Sequence, residues 1–506
     1  MAFSFNNTIN KIYMQVIFAF VSAFLLILST AGFGLSYFVF FAFIPLLYAL
    51  SAEKSRPILL GMITGFLYFI VCLSWMMITF GYFGGAPLIA ALALLIFISF
   101  IGAFFFFVPF TYVFARFSKN PYILALLFVL LEAIKGTVFF GGVPWLNLAQ
   151  SQYKNILILQ SVSVFGEYGL SFLIMLINIF LFNIITSPKE KKNIPLLIIS
   201  ICVMILPGLF RALYPIEYKE IKKIAVIQPG YNQEDKWDVN KWLNIVNDIN
   251  LQVIKASNAN VDMIVLPESS YPLKILSADF LMEFLNNIST KTPIILGADR
   301  RINIDNESRL FNTMVLIDNK TLHFYDKRHL TPFGEYFPFE NILRPVKEFF
   351  FGKGSMFSPG DKINILSSGS IKAGPVICFE SAFSPLINDS IMFGANLLVI
   401  ISNDTWFGKN QGRIQHLAVD TIRAVEYGRA VARATQDGIS AFIMPNGNIP
   451  LMEDKQIPQV LIQNVPLVEH KTFFALYGNI WIAFIIPLIY YEIRKKKKLK
   501  KNDHGK

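Results

Sequence analysis

The chain has 506 residues, of which 54% are hydrophobic, 15% aromatic and only 16% charged, with a mean hydropathy of +0.51. Soluble domains carry about a quarter charged residues, so this composition excludes a purely soluble protein and points to a membrane protein. The formal net charge is +11, but the basic residues gather in short connections and a C-terminal tail. That distribution indicates membrane topology and anionic headgroups, with no nucleic-acid partner.

Apolar runs long enough to cross a bilayer fall at 12–29, 34–50, 57–80, 87–115, 121–139, 156–186, 194–212 and 473–491. They predict eight spans, seven early and one late. Further spans follow the first directly, so it reads as a structural helix rather than a cleaved signal peptide. The connections at 30–33 and 81–86 carry no Lys or Arg. Alternate connections carry Lys54 and Arg56, then Arg116 and Lys119, then Lys189, Lys191 and Lys192, and the tail carries Arg494, Lys495 to Lys498, Lys500 and Lys501. The positive-inside rule makes these basic segments and both termini cytoplasmic and the block between the last two spans external, with Lys154 on the outer side as the one exception. The expected organisation is a membrane domain over 1–213, an exported domain over 214–472, a closing span at 473–491 and a basic tail at 492–506. Glu132, Lys135 and Glu167 lie at membrane depth, where ionisable groups face a bundle interior or a cavity. Glu132 and Lys135, three apart, are placed to pair on one helical face, and a structural role is expected for them.

From Lys222 onward the texture changes. Strands are predicted at Ile224–Gln228, Met263–Leu266, Ile294–Gly297, Met314–Ile317, His323–Tyr325, Val376–Phe379, Leu398–Ser402, Ala441–Met444 and Leu461–Val465. Helices are predicted at 240–258, where Trp242, Ile245, Ile249 and Val253 show the 3.6-residue period, and near 279–290, 384–394 and 412–436. Strands interleaved with helices imply an α/β layered domain.

Three predicted strand ends carry a reactive side chain: Ile264-Val-Leu-Pro-Glu268, Phe324-Tyr-Asp-Lys327 and Gly374-Pro-Val-Ile-Cys378. In α/β sheets ligands collect beyond the carboxyl ends of strands, so the three are candidates for one pocket. Cys378 is the only cysteine of the exported block, the other two lying at Cys72 and Cys202 in apolar runs. It has no internal disulfide partner there and is either a core residue or a reagent. The trio makes chemical sense: a thiol nucleophile, a desolvated carboxylate able to take its proton, and a lysine that lowers the thiol pKa and stabilises an oxyanion. A lone cysteine in an apolar strand is by default a core residue, a lysine a surface residue and a glutamate after a strand a helix cap.

At these residues the chain resembles the nitrilase superfamily, and within it the membrane-embedded bacterial apolipoprotein N-acyltransferase family. The motifs that carry the resemblance are Gly142-Val-Pro-Trp145, Ser151-Gln152, Lys236-Trp237-Asp238, Leu266-Pro-Glu268-Ser and Lys327-Arg-His-Leu-Thr-Pro-Phe-Gly-Glu335. They continue with Ile377-Cys378-Phe-Glu380, Ser402-Asn-Asp-Thr-Trp-Phe-Gly408, Gln415-His416 and Arg423-Ala-Val-Glu-Tyr-Gly-Arg429. The resemblance implies an α-β-β-α sandwich for the exported domain. It implies Glu268 as general base, Lys327 as oxyanion stabiliser and Cys378 as nucleophile, with Trp237, Glu335, Phe379 and Glu380 in support. Phe379 stands where the family often has Tyr, which removes any contribution from a phenol hydroxyl. The implied reaction passes an acyl chain from a phospholipid, through a thioester on Cys378, to the α-amine of a diacylglyceryl-cysteine on an apolipoprotein. The implied location is the bacterial inner membrane with the catalytic domain periplasmic. No metal or other cofactor is called for, the five histidines being scattered.

The apolar segment Phe349-Phe-Phe-Gly352 with Met356-Phe357 is unusual for an exported loop and is expected either to dip into the outer leaflet or to pack on the domain. Three other readings compete: a membrane-tethered amidase hydrolysing small C–N bonds, a transporter or scaffold, and a polyprenol-type glycosyl transferase. The amidase reading leaves the seven preceding spans without a purpose. Few intramembrane charges argue against transport, and the acidic metal site expected of the glycosyl transferase is not evident.

Overall fold

The computed structural model describes residues 11–85, 87–138, 141–189, 191–271, 291–304, 307–319, 321–338, 356–455, 457–487, 490–491 and 494, except the side chains of Phe83, Gln233 and Trp237. The chain divides into two compact units, one of Met1–Met77, Pro87–Leu213 and Leu476–Lys506, the other of Ile78–Ala86 and Tyr214–Ala475.

Among the described residues the first unit has four helices long and apolar enough to cross a membrane: Ile12–Ser29, Leu88–Arg116, Val162–Thr186 and Asn193–Leu213. Ser36–Leu50 and Pro57–Cys72 are shorter apolar helices. The span expected over 57–80 is therefore interrupted: its first helix ends at Cys72, residues 73–75 form a turn, and from Ile78 the chain is a π-helix, Ile78–Phe83, that belongs to the second unit. The helix Pro121–Lys135 begins sharply because Asn120 Oδ1 accepts from the amides of Tyr122 and Ile123 at 3.0 and 3.1 Å, with proline in the first turn. In the expected closing span Phe473–Tyr477 is helical, while residues 488–489 lie outside the described set.

The buried ionisable groups of this unit grip a loop. Lys135 Nζ donates to the Trp145 carbonyl at 2.6 Å, and Glu132 Oε1 accepts from the Leu148 amide at 2.8 Å. Glu167 Oε1 accepts from Asn147 Nδ2 and Gln150 Nε2 at 2.9 and 2.8 Å. Polar loop backbone at such depth must be satisfied by protein groups, so the motif Gly142-Val-Pro-Trp145 is held by the very charges that the sequence placed in the apolar region.

The second unit contains two six-stranded sheets. In the first, β1 (Glu220–Gln228), β2 (Met263–Val265), β3 (Ile294–Ile304), β4 (Glu307–Asp318), β5 (Thr321–Asp326) and β12 (Gln459–Leu467) lie in the order β12-β1-β2-β3-β4-β5. In the second, β6 (Leu366–Ser368), β7 (Ile371–Ile377), β8 (Leu397–Ser402), β9 (Val431–Thr435), β10 (Ser440–Ile443) and β11 (Leu451–Glu453) lie in the order β11-β10-β9-β8-β7-β6. Each sheet has a parallel centre, β1-β2-β3 and β7-β8-β9, flanked by antiparallel strands.

Alternation along β1 and β2 sorts the layers. Ile224, Val226, Met263 and Val265 pack with Ile377, Val399, Ile401 and Ala432 between the sheets. Their neighbours Ala225, Ile227, Ile264 and Leu266 pack with Ile245, Ile249, Val253 and Ala256 of the helix Trp242–Asn258 on the outer face. Burying both faces at ~25 cal/mol per Å2 of apolar surface drives this layering. The helix Ser384–Met392 covers β7 on the other sheet.

Two expectations need correcting. The helix foreseen over 412–436 spans Gln411–Tyr427 and stops at Gly428, which caps it at φ 61° and ψ 39°. The following Val431–Thr435 is strand β9, inserted parallel to β8; its five residues, Val-Ala-Arg-Ala-Thr, are too short and too rich in the helix formers Ala and Arg to separate strand from helix locally. The strand foreseen over Val376–Phe379 ends at Ile377, because Cys378 turns out of the sheet. The helix foreseen near 279–290 and the segment 349–352 lie outside the described residues. Phe357 is described, and its amide donates to the Glu335 carbonyl at 3.0 Å.

Candidate active site

Glu268 stands just beyond β2 and is buried. Its backbone passes Gly297 of β3 so closely that a Cβ at that glycine would lie 2.6 Å from Glu268 Cα. The carboxylate is tied from two directions: Oε1 accepts from Asn312 Nδ2 at 2.7 Å and Oε2 from the Asn403 amide at 2.8 Å. Desolvation raises its pKa, against the pull of Lys327, and the nearby Glu335 raises it further.

Lys327, the first residue after β5, is 1% exposed. Its Nζ lies 2.7 Å from Glu335 Oε2, 3.9 Å from Glu268 Oε1 and 3.4 Å from Thr331 Oγ1. Burial alone would lower its pKa, but Glu335 and Glu268 outweigh burial and hold it above the ordinary lysine value. Glu335 also accepts from the Thr331 amide and from Asn312 Nδ2, each at 2.7 Å. Burial pushes its pKa up, but Lys327 and these donors win and set it below the ordinary range. One amide nitrogen, Asn312 Nδ2, thus bridges both carboxylates with its two hydrogens.

Cys378 follows β7 and is half-buried, with φ at +53°. A non-glycine residue in this region is held there at a cost of about 1–3 kcal/mol. Burial raises its thiol pKa and Glu268 and Asp404 add to that, while Lys327 and the Ser402 side chain pull the other way. Lys327 thus acts on the thiol in the expected direction but is outweighed by burial. Glu380, two residues on, accepts from the Ile377 amide at 2.9 Å with Oε2. Its Oε1 accepts from Tyr325 Oη at 2.9 Å, the Arg328 amide at 2.7 Å and the His329 amide at 3.1 Å. It therefore ties the turn carrying Cys378 to the segment carrying Lys327. The Phe379 ring lies 5.2 Å from Phe383 and 6.1 Å from His329, centroid to centroid.

Trp237 ends the short helix Gln233–Trp237, and its side chain is outside the described set. Its neighbour Lys236 is buried and donates through Nζ to the Ser269 carbonyl, next to Glu268. Burial lowers the Lys236 pKa to about 8, against Glu268 and Asp299.

Asn312, Asn403 and Lys236 were not singled out as site residues from sequence. Asn312 carried a weak signal, a polar residue among the apolar run that continues through Met314 to Ile317 on β4. Asn403 contributes only its amide, which no side-chain pattern encodes. The geometry brings together a carboxylate of raised pKa, a thiol and a lysine cation, the groups required for nucleophilic acyl chemistry.

Residues 22–180 match the apolipoprotein N-acyltransferase N-terminal domain, and residues 223–472 match the carbon-nitrogen hydrolase family. A Geobacter metallireducens apolipoprotein N-acyltransferase is 31% identical over 480 residues, covering 92% of this chain and 91% of its own. The enzyme of that name from Haemophilus ducreyi is 30% identical over 83% of this chain and 84% of its own, and that from Haemophilus influenzae 28% identical over 92% of each. With two matched domains in the same order and relatives of this identity aligned over most of its length, the chain belongs to the apolipoprotein N-acyltransferase family.

Proposed function

We infer that the protein moves a fatty acyl chain from a phospholipid to the N-terminal amine of a diacylglyceryl-cysteine on an apolipoprotein, by way of a Cys378 thioester. The family match over both units carries this reading, and the convergence of Glu268, Lys327 and Cys378 supports its mechanism. Glu268 takes the thiol proton as sulfur adds to the ester carbonyl. The oxyanion gains the Lys327 charge, the glycerol oxygen leaves, and Glu268 returns the proton to it, releasing a lysophospholipid. The lipoprotein amine then adds to the thioester, gives its proton to Glu268 and expels the sulfur, which regains a proton. Glu335 keeps Lys327 charged and placed, Glu380 holds the two strand ends in register, and Trp237 and Phe379 serve as supporting residues of the site.

Both substrates are lipid-anchored, which accounts for a catalytic unit joined to a membrane unit. We place eight spans in the inner membrane, with both termini cytoplasmic, the catalytic domain of 214–472 periplasmic and the tail of 492–506 inside. One structural feature favours this topology. Residues 78–86 include a connection free of Lys and Arg that the charge rule puts outside, and they belong to the same compact unit as the catalytic residues. Thr79 Oγ1 donates to the Trp406 carbonyl at 2.8 Å there.

Intact-mass measurement of the full-length protein incubated with phospholipid in detergent is expected to show one added acyl chain, discharged by a diacylglyceryl-cysteine peptide. A protein that stays unmodified, or an adduct that water removes as fast with the peptide as without it, overturns the reading. The rate of adduct formation is expected to rise with pH as Glu268 loses its proton. Because desolvation raises that pKa, the midpoint should lie above the ordinary glutamate value of about 4.3. A rate that is flat or falling between pH 4 and 8 would count against Glu268 as the base.

A further inference from the structure

The sequence motifs that the mechanism leaves unused meet behind the nucleophile. Asp404, His416, Asp420 and Arg433 are all at most 1% exposed. Asp404 Oδ1 receives the Ser402 hydroxyl at 2.6 Å and lies 3.0 Å from His416 Nδ1, while its Oδ2 receives Arg433 Nη2 at 2.8 Å. Arg433 Nε donates to Asp420 Oδ2, and Asp420 Oδ1 lies 3.9 Å from His416 Nε2. On its far side His416 Nε2 reaches the Cys378 carbonyl at 3.3 Å and Ser381 Oγ at 3.2 Å. Ser402, at the end of β8, follows Ile401, which pairs with Ile377 in the parallel β7–β8 ladder; it therefore lies beside Cys378, and its side chain lowers the thiol pKa.

We propose that Asp404 and His416 are positioning residues that clamp Cys378 at two points, its thiol through Ser402 and its carbonyl through His416. The proposal deepens the thioester reading and rests on it. Three consecutive residues serve the site together: Ser402 meets the thiol, the Asn403 amide meets Glu268, and Asp404 anchors the clamp.

Charge counting specifies the form of the histidine. Asp404 and Asp420 bring two negative charges and Arg433 one positive, so an imidazolium at His416 neutralises a group of four that water does not reach. Burial disfavours the imidazolium, and so does Arg433, whose Nη2 lies 3.1 Å from His416 Nδ1, but Asp420 and Asp404 outweigh both and the His416 pKa is raised. Both ring nitrogens then donate, Nδ1 to Asp404 and Nε2 to the Cys378 carbonyl, and that second bond restrains a residue held at φ +53°. On the thiol side, the Ser402 hydroxyl donates to Asp404 at rest, and its lowering of the thiol pKa is the effect of a donor to the thiolate. Once Glu268 removes the thiol proton, the Ser402 hydroxyl turns to the thiolate, and Asp404 keeps its bonds to His416 and Arg433. No atom leaves or enters the clamp in the cycle.

The test is single-turnover acylation of the full-length protein by phospholipid in detergent micelles, read by intact mass, with His416→Ala, His416→Gln and Ser402→Ala. Mispositioning a reacting group by about 1 Å costs about 100-fold, so His416→Ala is expected to slow acylation about 100-fold with KM for phospholipid little changed. His416→Gln keeps a donor in reach of the Cys378 carbonyl and is expected to recover about tenfold of that loss. Ser402→Ala removes only the thiol arm and is expected to slow acylation with an unchanged melting temperature. Wild-type acylation in His416→Ala, a loss confined to KM, or a His416→Gln protein as slow as His416→Ala overturns the clamp. If His416→Ala does not fold, wild-type acylation in Ser402→Ala overturns it instead. Absence of an adduct on the wild-type protein is a different result, which removes the thioester reading itself.

Discussion

Cys378→Ser is expected to abolish acyl-enzyme formation and to lower transfer to a lipoprotein peptide by about 10,000-fold or more, the scale seen when a nucleophile is removed from a unit of cooperating groups. The thiol already sits above its ordinary pKa, so its reactivity depends on Glu268 taking the proton as sulfur attacks. A serine hydroxyl is a weaker acid and a poorer nucleophile, and the same carboxylate is insufficient for it. Serine accepts the left-handed backbone at φ +53° no worse than cysteine does, and Glu380 fixes the turn through the Ile377 amide whichever side chain is present. The melting temperature should therefore stay at the wild-type value. An acyl adduct of equal abundance on the serine variant, or transfer within tenfold of wild type, would refute Cys378 as the acyl carrier.

Lys327→Met should damage stability as well as chemistry. The lysine is the cation shared by Glu335 at 2.7 Å and Glu268 at 3.9 Å, with all three buried. Removing one partner of a buried ion pair leaves an uncompensated charge and costs about 3–5 kcal/mol. The sign with pH follows from the two shifts. Lys327 has a raised pKa in the folded protein, so its contribution is complete below the unfolded value of about 10.4 and is lost as pH rises through the folded one. Glu335 has a depressed pKa, so its contribution is present above about 4.3 and is lost as pH falls through its folded value. The deficit of Lys327→Met should be largest between those limits and should shrink in acid, where the two carboxylates take up protons. Glu335→Gln added to Lys327→Met should restore part of the stability but none of the acylation, because the oxyanion still lacks its cation. Thermal melts in detergent across pH read the first effect. A melting temperature at pH 7 equal to wild type would show that the carboxylates do not depend on this lysine.

Sequence reasoning reached far into this molecule where the signal was local. The strands holding Glu268 and Lys327 were legible because apolar runs ended abruptly at a charged side chain, and the helix 242–258 because its apolar residues repeat at the helical period. The sequence is silent on the strand Val431–Thr435, whose Ala and Arg suit a helix as well as a strand and follow directly on the helix that Gly428 ends. The short strands Leu366–Ser368 and Leu451–Glu453 were missed because three residues show no period and are specified by their partners.

The amino-acid sequence by itself determined that this is a membrane protein with an α/β domain, which strand ends carry Glu268, Lys327 and Cys378, and which family it resembles. These follow from composition, period and contiguous motifs, all properties of neighbouring residues. Only the tertiary structure decided that Asn312 bridges two carboxylates, that the Asn403 amide holds Glu268, and that Glu132, Lys135 and Glu167 bind a loop. It also decided that Asp404, His416 and Arg433, drawn from a short 3-10 helix, an α-helix and a strand, come together behind Cys378. Those contacts join residues far apart in the chain, and their energies arise from burial and from bonds that no local pattern encodes.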